Sequence, residues 1–334
     1  MSKTLNVSII GSGQIGSRHL QALAHLKESV RIQLVDPSQN SLDVACQRFH
    51  SVYQGDKKKI TLETFNTIKD ISELQDVVIV ATDATVRSNV IKDLVQRKKI
   101  QAMICEKLLF QTENEYHEIY ALLKAKNIPT WVNCLLRATE FFRNLKTLLN
   151  KDEVIKMKVE GADWGLACNG IHFLDLFSFF TECGDFEFTH VSFDQVITDF
   201  KRPESKEFIG EMAGKNSGDH QLTMSCKEGD TDSKNLRGFK TVYIENGTRH
   251  HCITVYPNRV THRALTKKGE TEVTKLLPLQ SQITHHLVED IVSSGSCGLP
   301  TYSESMTLHL SLIREFISHL MKITGKNVTR CPIT

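Results

Sequence analysis

Short apolar segments alternate with amphipathic helical segments from Leu5 to Cys134. The segment Val77–Ala81 is apolar at every position, which is typical of a central parallel strand covered on both faces. Strands that alternate with helices in this way predict βαβ units around a parallel sheet. The predicted strands are residues 5–10, 30–35, 61–67, 77–81, 102–105 and 130–134, and the predicted helices are about 14–26, 39–50, 72–75, 85–98 and 112–126.

The pattern changes after about residue 150. Apolar and polar residues alternate at 156–160, near 186–196 and at 238–244, which indicates strands with one solvated face. Helical patterns cover 170–181, about 281–294 and 303–325, and the Gly- and Ser-rich segment 214–237 predicts turns. Because 334 residues exceed the size at which single cores stop growing, we predict two domains. We place a doubly wound α/β domain at 1–131 and an α+β domain with an open, mainly antiparallel sheet at 132–334.

A glycine-rich loop lies between the first strand and the first helix. In Gly11-Ser12-Gly13-Gln14-Ile15-Gly16 the first glycine permits a tight turn, the second lets the backbone approach a pyrophosphate, and the third lets helix and strand pack closely. The free N–H groups at the start of the helix bind phosphate. Asp36 ends the second strand, where an acid that binds ribose is expected. The loop predicts a Rossmann domain, and Asp36 favours NAD, while NADP is left open.

Polar residues that follow the parallel strands are candidates for the site, because ligands bind outside the carboxyl ends of such strands. Ala81, Thr82 and Asp83 follow the fourth strand. They either line the cofactor, or Asp83 caps the next helix. The sequence leaves both interpretations open.

Two further strand ends carry groups that could act on a substrate: Glu106 and Lys107 follow the fifth strand, and Asn133 and Arg137 lie at the end of the sixth. The ammonium group of Lys107 could bind a substrate hydroxyl and help its proton leave. The alternative is a surface pair of Glu106 and Lys107 with little energetic effect.

One predicted helix, 170–181, is apolar on nearly all sides. Its exceptions, His172, Asp175 and Ser178, recur every three residues and fall close to one stripe. His172 could exchange a proton near neutral pH. An ordinary exposed stripe, or a histidine with its hydrogen bonds satisfied in the core, is the alternative.

Composition and charge narrow the function classes. A net charge of +2, without basic runs interleaved with aromatic residues, argues against nucleic acid as a partner. Nine scattered cysteines without a C-x-x-C motif fit a reducing compartment. We expect no signal peptide, no membrane span and a cytoplasmic protein. The adjacent histidine pairs 250–251 and 285–286 point to different sides, so we expect no metal site.

Several of these residues together form a known pattern, and they resemble the glucose–fructose oxidoreductase / inositol dehydrogenase / rhizopine-catabolism (Gfo/Idh/MocA) family. The matching segments are Gly11–Gly16 followed by His19, Ala81-Thr82, Cys105-Glu106-Lys107, Asn133 with Arg137, and Gly170–Asp175. The resemblance implies NAD(P)-dependent oxidation or reduction at a carbon of a sugar, cyclitol or related polyol. It also implies a homo-oligomer, a dimer or tetramer, formed through the C-terminal sheet.

The resemblance also implies roles for individual residues. Lys107 matches the lysine of the family's Glu-Lys-Pro motif, His172 matches its catalytic histidine, and Asp175 matches an acid that commonly contacts substrate. The substrate site is assigned to Asp175 together with Asn133, Arg137, Cys168 and Asn169, and the cofactor site to Gly11, Ser12, Gly13, Gln14, Ile15, Gly16, Asp36, Ala81, Thr82, Asp83, Glu106 and Lys107.

Three residues depart from the family pattern. Leu108 replaces the proline of the motif, Arg87 replaces a frequent histidine, and Cys168 stands where many members carry an aspartate. The leading hypothesis is an oxidoreductase that transfers a hydride between NAD(P) and a sugar-like small molecule. The alternatives are a cofactor-binding sensor or regulatory protein that has lost catalysis, and a lyase or glycosidase assisted by transient oxidation.

Overall fold

The computed structural model describes residues 4–53, 55, 59–199, 206–229, 239–266 and 269–333. Residues 230–237 of the predicted turn segment 214–237 lie outside these ranges. The chain divides into two compact units. The first comprises Met1–Asn133 and Pro278–Tyr302, and the second Cys134–Leu277 and Ser303–Thr334. This division assigns residues 278–302 to the first unit, whereas the sequence analysis places a single domain boundary after residue 131. The division into a cofactor-binding domain at 1–131 and a substrate-binding domain at 132–334 stays a prediction.

The first unit is built on a parallel sheet of six strands in the order β3-β2-β1-β5-β7-β8. Its strands are β1 (Leu5–Ile10), β2 (Val30–Val35), β3 (Ile60–Phe65), β4 (Leu74–Gln75), β5 (Val77–Val80), β6 (Lys99–Ile100), β7 (Met103–Cys105) and β8 (Thr130–Val132), of which β4 and β6 pair separately. Its helices are α1 (Gln14–Leu23), α2 (Gln39–Val52), α3 (Ala84–Arg97), α4 (Glu113–Ala125) and α7 (Gln280–Ser294), with a 3-10 turn at Ile68–Asp70. The predicted Rossmann fold is confirmed.

The sequence pattern sets most boundaries of this unit. All four residues of β5 are buried, as the continuous apolar run predicts. Thr112 begins α4 with a capping box, in which its side chain accepts from the backbone of Glu115 and the Glu115 side chain accepts in return.

The predicted helix at 72–75 is wrong. Four residues are too few to nucleate a helix, and this segment contains β4 instead. The buried side chain of Gln75 accepts from Ser8 Oγ at 2.5 Å and donates to Gln33 Oε1 at 3.0 Å, which holds the segment extended against the sheet.

The second unit contains an eight-stranded sheet in the order β10-β11-β12-β9-β13-β14-β15-β16. Every neighbouring pair is antiparallel except β12 and β9, so the predicted mainly antiparallel sheet is confirmed. The strands are β9 (Ile155–Ala162), β10 (Glu187–Asp199), β11 (Lys206–Lys215), β12 (Gln221–Lys227), β13 (Lys240–Asn246), β14 (Arg249–Val255), β15 (Arg259–Thr266) and β16 (Gly269–Leu276). The helices are α5 (Glu140–Leu148), α6 (Leu166–Thr181) and α8 (Tyr302–Thr324), with a 3-10 turn at Leu135–Ala138.

Aromatic side chains hold the helices of the second unit against its sheet. The ring of Trp164 meets Phe173 of α6 edge to face, and its indole N–H donates to Ser225 O at 2.8 Å. Phe316 of α8 stacks on Phe208 of β11 with 4.7 Å between ring centroids. Aromatic contacts therefore help to hold both α6 and α8 against the sheet.

Two findings concern the whole described chain. None of its helices is long and apolar enough to cross a membrane. Its nine cysteines form no disulfide with one another in the described ranges.

Candidate functional site

The glycine loop of the first unit has the geometry that a dinucleotide requires. Gly11 has φ of +95°, and a Cβ there would lie 2.9 Å from Thr82 N. A Cβ on Gly16 would overlap the carbonyl oxygen of Gly11, whereas one on Gly13 would meet nothing within 4 Å. Gly11 and Gly16 are therefore required for packing, and Gly13 leaves open space in front of the loop. Helix α1 begins at Gln14, so Gln14 and Ile15 form its first turn.

The carboxylate of Asp36 links this loop to the end of β2. One oxygen accepts from Ser12 N at 2.7 Å and the other from Ser38 N at 2.9 Å. A negative charge is therefore fixed beside the glycine loop, at the position where the ribose of a dinucleotide is expected.

The loop after β5 contains a helix cap, one of the two interpretations left open, while contact of Ala81, Thr82 and Asp83 with the cofactor stays a prediction. The side chain of Asp83 accepts from Thr85 N at 3.0 Å and caps α3. Ala81 N donates to Ile10 O at 2.8 Å, so this loop is tied to the end of β1. The hydroxyl of Thr82 in the same loop is buried.

Three buried side-chain atoms at the carboxyl edge of the parallel sheet have no hydrogen-bond partner among the described residues. They are Ser12 Oγ, Thr82 Oγ1 and Asn133 Oδ1, which follow β1, β5 and β8. Buried polar atoms are rarely left unpaired in folded proteins, so a bound ligand or an ordered water is the expected partner of these three atoms. Together with the open space at Gly13, these atoms fit a bound dinucleotide.

Glu106 is the centre of a buried hydrogen-bond network. Its Oε1 accepts from His19 Nε2 at 2.8 Å and also from Asn133 Nδ2. Asn133 Nδ2 lies 2.8 Å from Gln280 Oε1, and His19 Nδ1 lies 2.9 Å from Thr284 Oγ1. Gln280 Nε2 donates to Thr284 Oγ1 at 2.8 Å, so Gln280 and Thr284, both on α7, belong to the network.

This network decides the charge of Glu106. Burial alone would raise its pKa, but the hydrogen bond from His19, the bond from Asn133 and the nearby charge of Lys107 together lower the pKa below its ordinary value. Glu106 is therefore an ionised acceptor inside the first unit. Sequence reasoning missed Gln280 and Thr284, whose only signal was a spacing that places both on one helix face.

Arg87 connects two loops at the same edge of the sheet. The residue is 2% exposed, and its guanidinium donates to the carbonyl oxygens of Thr82 and Leu108, and to that of Leu109 at 2.9 Å. The second loop contains the half-buried Lys107, and the Lys107–Leu108 peptide bond is cis.

In the second unit, Asp175 is a buried carboxyl group on α6. It is 1% exposed, and Oδ1 accepts from Arg137 at 3.2 Å. The Arg137 guanidinium also lies 4.0 Å from Glu304 and 5.0 Å from the Phe179 ring. Asp175 Oδ2 is buried without a partner among the described residues. Burial raises the pKa of Asp175 to about 7; Arg137 opposes that rise and Glu304 adds to it.

The first turns of α6 carry the other predicted substrate residues. Cys168 N donates to Glu207 Oε1 at 2.7 Å, and Ala167 N donates to Glu207 Oε2 at 2.9 Å. Asn169 Nδ2 donates to Trp164 O at 2.7 Å. One turn further along, His172 is half-buried. The sequence did not indicate Glu207, because this residue comes from a distant strand.

No group of three or more side chains that could hold a metal ion occurs among the described residues. The histidine pair 250–251 lies on β14, where successive side chains point to opposite faces of the sheet.

Fold and glycine loop together define a dinucleotide-binding Rossmann protein. Residues 5–134 match the family described as "Oxidoreductase family, NAD-binding Rossmann fold". By this match the N-terminal part of the chain belongs to the Gfo/Idh/MocA oxidoreductase family, as the sequence resemblance predicted. Its cofactor is NAD or NADP. No curated protein matches the sequence at a significant level.

Solved structures of similar fold cover nearly the whole chain. A dehydrogenase (MviM) from Clostridium difficile has a TM-score of 0.70 at 15% identity, over 93% of this chain and 98% of that one. A super-repressor mutant of Gal80p from Saccharomyces cerevisiae has 0.69 at 14%, over 96% and 97%. KijD10, a 3-ketoreductase from Actinomadura kijaniata in complex with NADP, has 0.67 at 13%, over 93% and 96%. At these identities the likeness shows the fold.

Proposed function

We propose that this protein is an NAD-dependent oxidoreductase acting on a hydroxyl-bearing carbon of a sugar, cyclitol or sugar derivative, including nucleotide sugars and sugar acids. The bound nicotinamide supplies or accepts the hydride. The observation that carries the proposal is Asp175, a buried carboxyl with one oxygen that has no partner among the described residues. Such an oxygen suits a substrate hydroxyl as its donor.

The remaining roles follow from the chemistry of each group. Lys107 and His172 would take up and return the proton of the substrate hydroxyl, since an amine and an imidazole both exchange protons in this way. Arg137 would orient Asp175 through their 3.2 Å contact. Asn133, whose amide nitrogen is held by Glu106 and Gln280, offers its Oδ1 to a donor on cofactor or substrate.

Cys168 and Asn169 would line the substrate at the start of α6. Glu207 holds the backbone of Cys168 and so fixes the direction of that first turn. Asn169 is fixed by its bond to Trp164 O, which leaves its amide oxygen as the group available to a ligand.

Asp36 supports a preference for NAD over NADP. Its carboxylate is oriented by two backbone N–H groups and would repel a 2′-phosphate. We expect Asp36→Asn to bind NADP more tightly relative to NAD, as measured by fluorescence titration with each reduced cofactor. Asp43→Asn, a change of an exposed residue on α2, is the control. An unchanged ratio of the two affinities would contradict this role.

Turnover with a panel of cyclitols, sugars, sugar acids and nucleotide sugars tests the main proposal. On the substrate found, Lys107→Ala and His172→Ala are expected to lower kcat by about 100-fold or more, because each removes a group that moves the proton. Lys92→Ala and His286→Ala, on the surfaces of α3 and α7, serve as matched controls. Full activity of either catalytic variant would overturn the assigned roles.

A second candidate is a cofactor-binding regulatory protein without catalysis. Two observations favour it: Cys168 and Leu108 replace an acid and a proline of the family pattern, and Gal80p shares the fold. Tight NAD binding without turnover on any substrate of the panel, together with a protein partner retained during purification, would support this function instead.

Assembly and location complete the proposal. We propose a homo-oligomer, a dimer or tetramer, formed through the sheet of the second unit, in the cytoplasm, with neither nucleic acid nor membrane as a partner. Light scattering after size-exclusion chromatography measures the mass of the assembly, and a monomer would contradict this part.

A further inference from the structure

Arg87 is a buried cation that is held by backbone carbonyl groups. It lies near the start of α3, 2% exposed, and its three acceptors are Thr82 O, Leu108 O and Leu109 O. Burial lowers its pKa, and the electrostatic effect of the neighbouring Cys105, Glu106 and Asp83 opposes that shift. No carboxylate forms an ion pair with it within the described ranges.

An arginine in this position needs an explanation beyond packing. Burying a guanidinium without a direct carboxylate partner is costly, and an apolar side chain of similar length would fill the volume of the stem at less cost. The planar guanidinium differs from every other side chain in presenting five donors in a fixed fork. Here that fork joins two separate loops, one after β5 and one after β7.

We infer that Arg87 is the positioning residue for Lys107, an inference that rests on the proposed function for the role of Lys107 in the reaction. The backbone before Lys107 is anchored because Glu106 N donates to Val80 O at 3.0 Å. The backbone after it is anchored by the two carbonyl groups that Arg87 binds. Lys107 is the single residue between these anchors, so Arg87 limits where its ammonium group can lie.

The same side chain also couples Lys107 to the cofactor loop. Thr82 O, the third acceptor, belongs to the residue whose buried hydroxyl has no partner among the described residues and which we assign to the dinucleotide. A shift of one loop therefore shifts the other. Arg87 fixes the distance between the bound dinucleotide and Lys107, and a misplacement of about 1 Å is enough to lower a catalytic rate by about 100-fold.

The first experiment needs no turnover. The rate at which acetic anhydride labels Lys107, measured by mass spectrometry as a function of pH, reports the position and surroundings of its amine. In Arg87→Lys, whose donors all lie on one nitrogen and so do not reproduce the planar fork that spans both loops, we expect that rate to change by about threefold or more, with labelling of Lys92 unchanged. Arg87→Met tests the same point without the charge. Arg97→Met, on the exposed part of α3, is the matched control.

The second experiment is a double-mutant cycle. If Arg87 acts through Lys107, Arg87→Lys lowers kcat by about 10-fold or more in the wild-type background but by less than about twofold in the Lys107→Ala background. NAD affinity and the melting temperature are measured on every variant. A loss of kcat that is equal in both backgrounds would show a purely structural role.

The two experiments separate the inference from the proposed function. Absence of turnover by the wild-type protein on every substrate would overturn the proposed function, while the labelling of Lys107 would still decide whether Arg87 positions it. Wild-type labelling of Lys107 in both Arg87→Lys and Arg87→Met would overturn the inference, whatever the activity.

Discussion

Asp175 predicts an unusual pH dependence of stability in the second unit. The carboxyl is 1% exposed and accepts one hydrogen bond from the described residues, that of Arg137. Burial raises its pKa to about 7, which Arg137 opposes and Glu304 reinforces. Asp175→Asn keeps the shape of the side chain and removes its ability to ionise, so this variant isolates the contribution of the charge.

The sign and size of the effect follow from linkage. The ordinary pKa of 3.8 applies to the unfolded chain, so between pH 3.8 and about 7 the folded state holds a proton that the unfolded chain releases. Stability therefore falls as the pH rises, by about 1.4 kcal/mol per pH unit and about 4 kcal/mol over the interval, and is constant above about pH 7. The asparagine variant lacks this decline.

Urea unfolding followed by the fluorescence of Trp164 measures the difference. The chain has two tryptophans, and Trp131→Phe leaves Trp164, whose ring packs on α6 of the second unit. In this background we expect Asp175→Asn to gain about 3 kcal/mol relative to the parent between pH 5 and 7, with no further gain at pH 8. Asp152→Asn, a change of an exposed carboxylate in the same unit, is the control. A difference between Asp175→Asn and its parent that does not vary with pH would show that Asp175 does not take up a proton on folding.

Three further predictions concern the first unit, followed by the fluorescence of Trp131. Gly13→Ala is expected to keep the melting temperature and to lower NAD affinity by about 10-fold or more, whereas Gly16→Ala is expected to unfold the unit, because only the Cβ on residue 16 overlaps the backbone. Equal effects of the two substitutions would contradict this difference. Glu106→Gln is expected to cost about 1–3 kcal/mol at pH 7. Because folding lowers the pKa of Glu106, its contribution to the free energy of unfolding is present above pH 4.5 and is lost as the pH falls below that value. A loss of stability in Glu106→Gln that is equal at pH 7 and pH 4 would contradict the role of the network. Burial and then the neighbouring His286 lower the pKa of His285 to about 4. The free energy of unfolding therefore falls as the pH drops from 6.5 toward 4, and His285→Gln should abolish that fall in urea titrations.

The parallel strands were predictable because burial on both faces leaves a continuous apolar run, as in Val77–Val80. Strand β16 was not predictable in this way, because it is exposed at every position and so shows no alternation of buried and exposed residues. Helix α5 was not predicted either, because its first residue follows Thr139 without a side-chain cap, the usual signal of a helix start.

In the candidate site, too, local features could be predicted from the sequence, whereas contacts between distant residues could not. The glycine loop, Asp36 and the polar residues after each strand follow from local spacing, since a strand end and a helix start are adjacent in sequence. The pairing of His19 with Glu106 spans 87 positions, and that of Glu207 with Cys168 spans 39. Such contacts depend on how distant segments meet in the folded chain, which one sequence does not reveal.

The assignment of Pro278–Tyr302 to the first unit has a consequence for synthesis on the ribosome. A nascent chain that has emerged as far as Asn133 contains His19, Glu106 and Asn133 but lacks the α7 residues Thr284, which bonds His19, and Gln280, which bonds Asn133. The face of α1 that contacts α7 is then exposed as well. The first unit is therefore completed only after the sheet of the second unit has been synthesised. A fragment truncated at residue 133 lacks part of the core of the first unit.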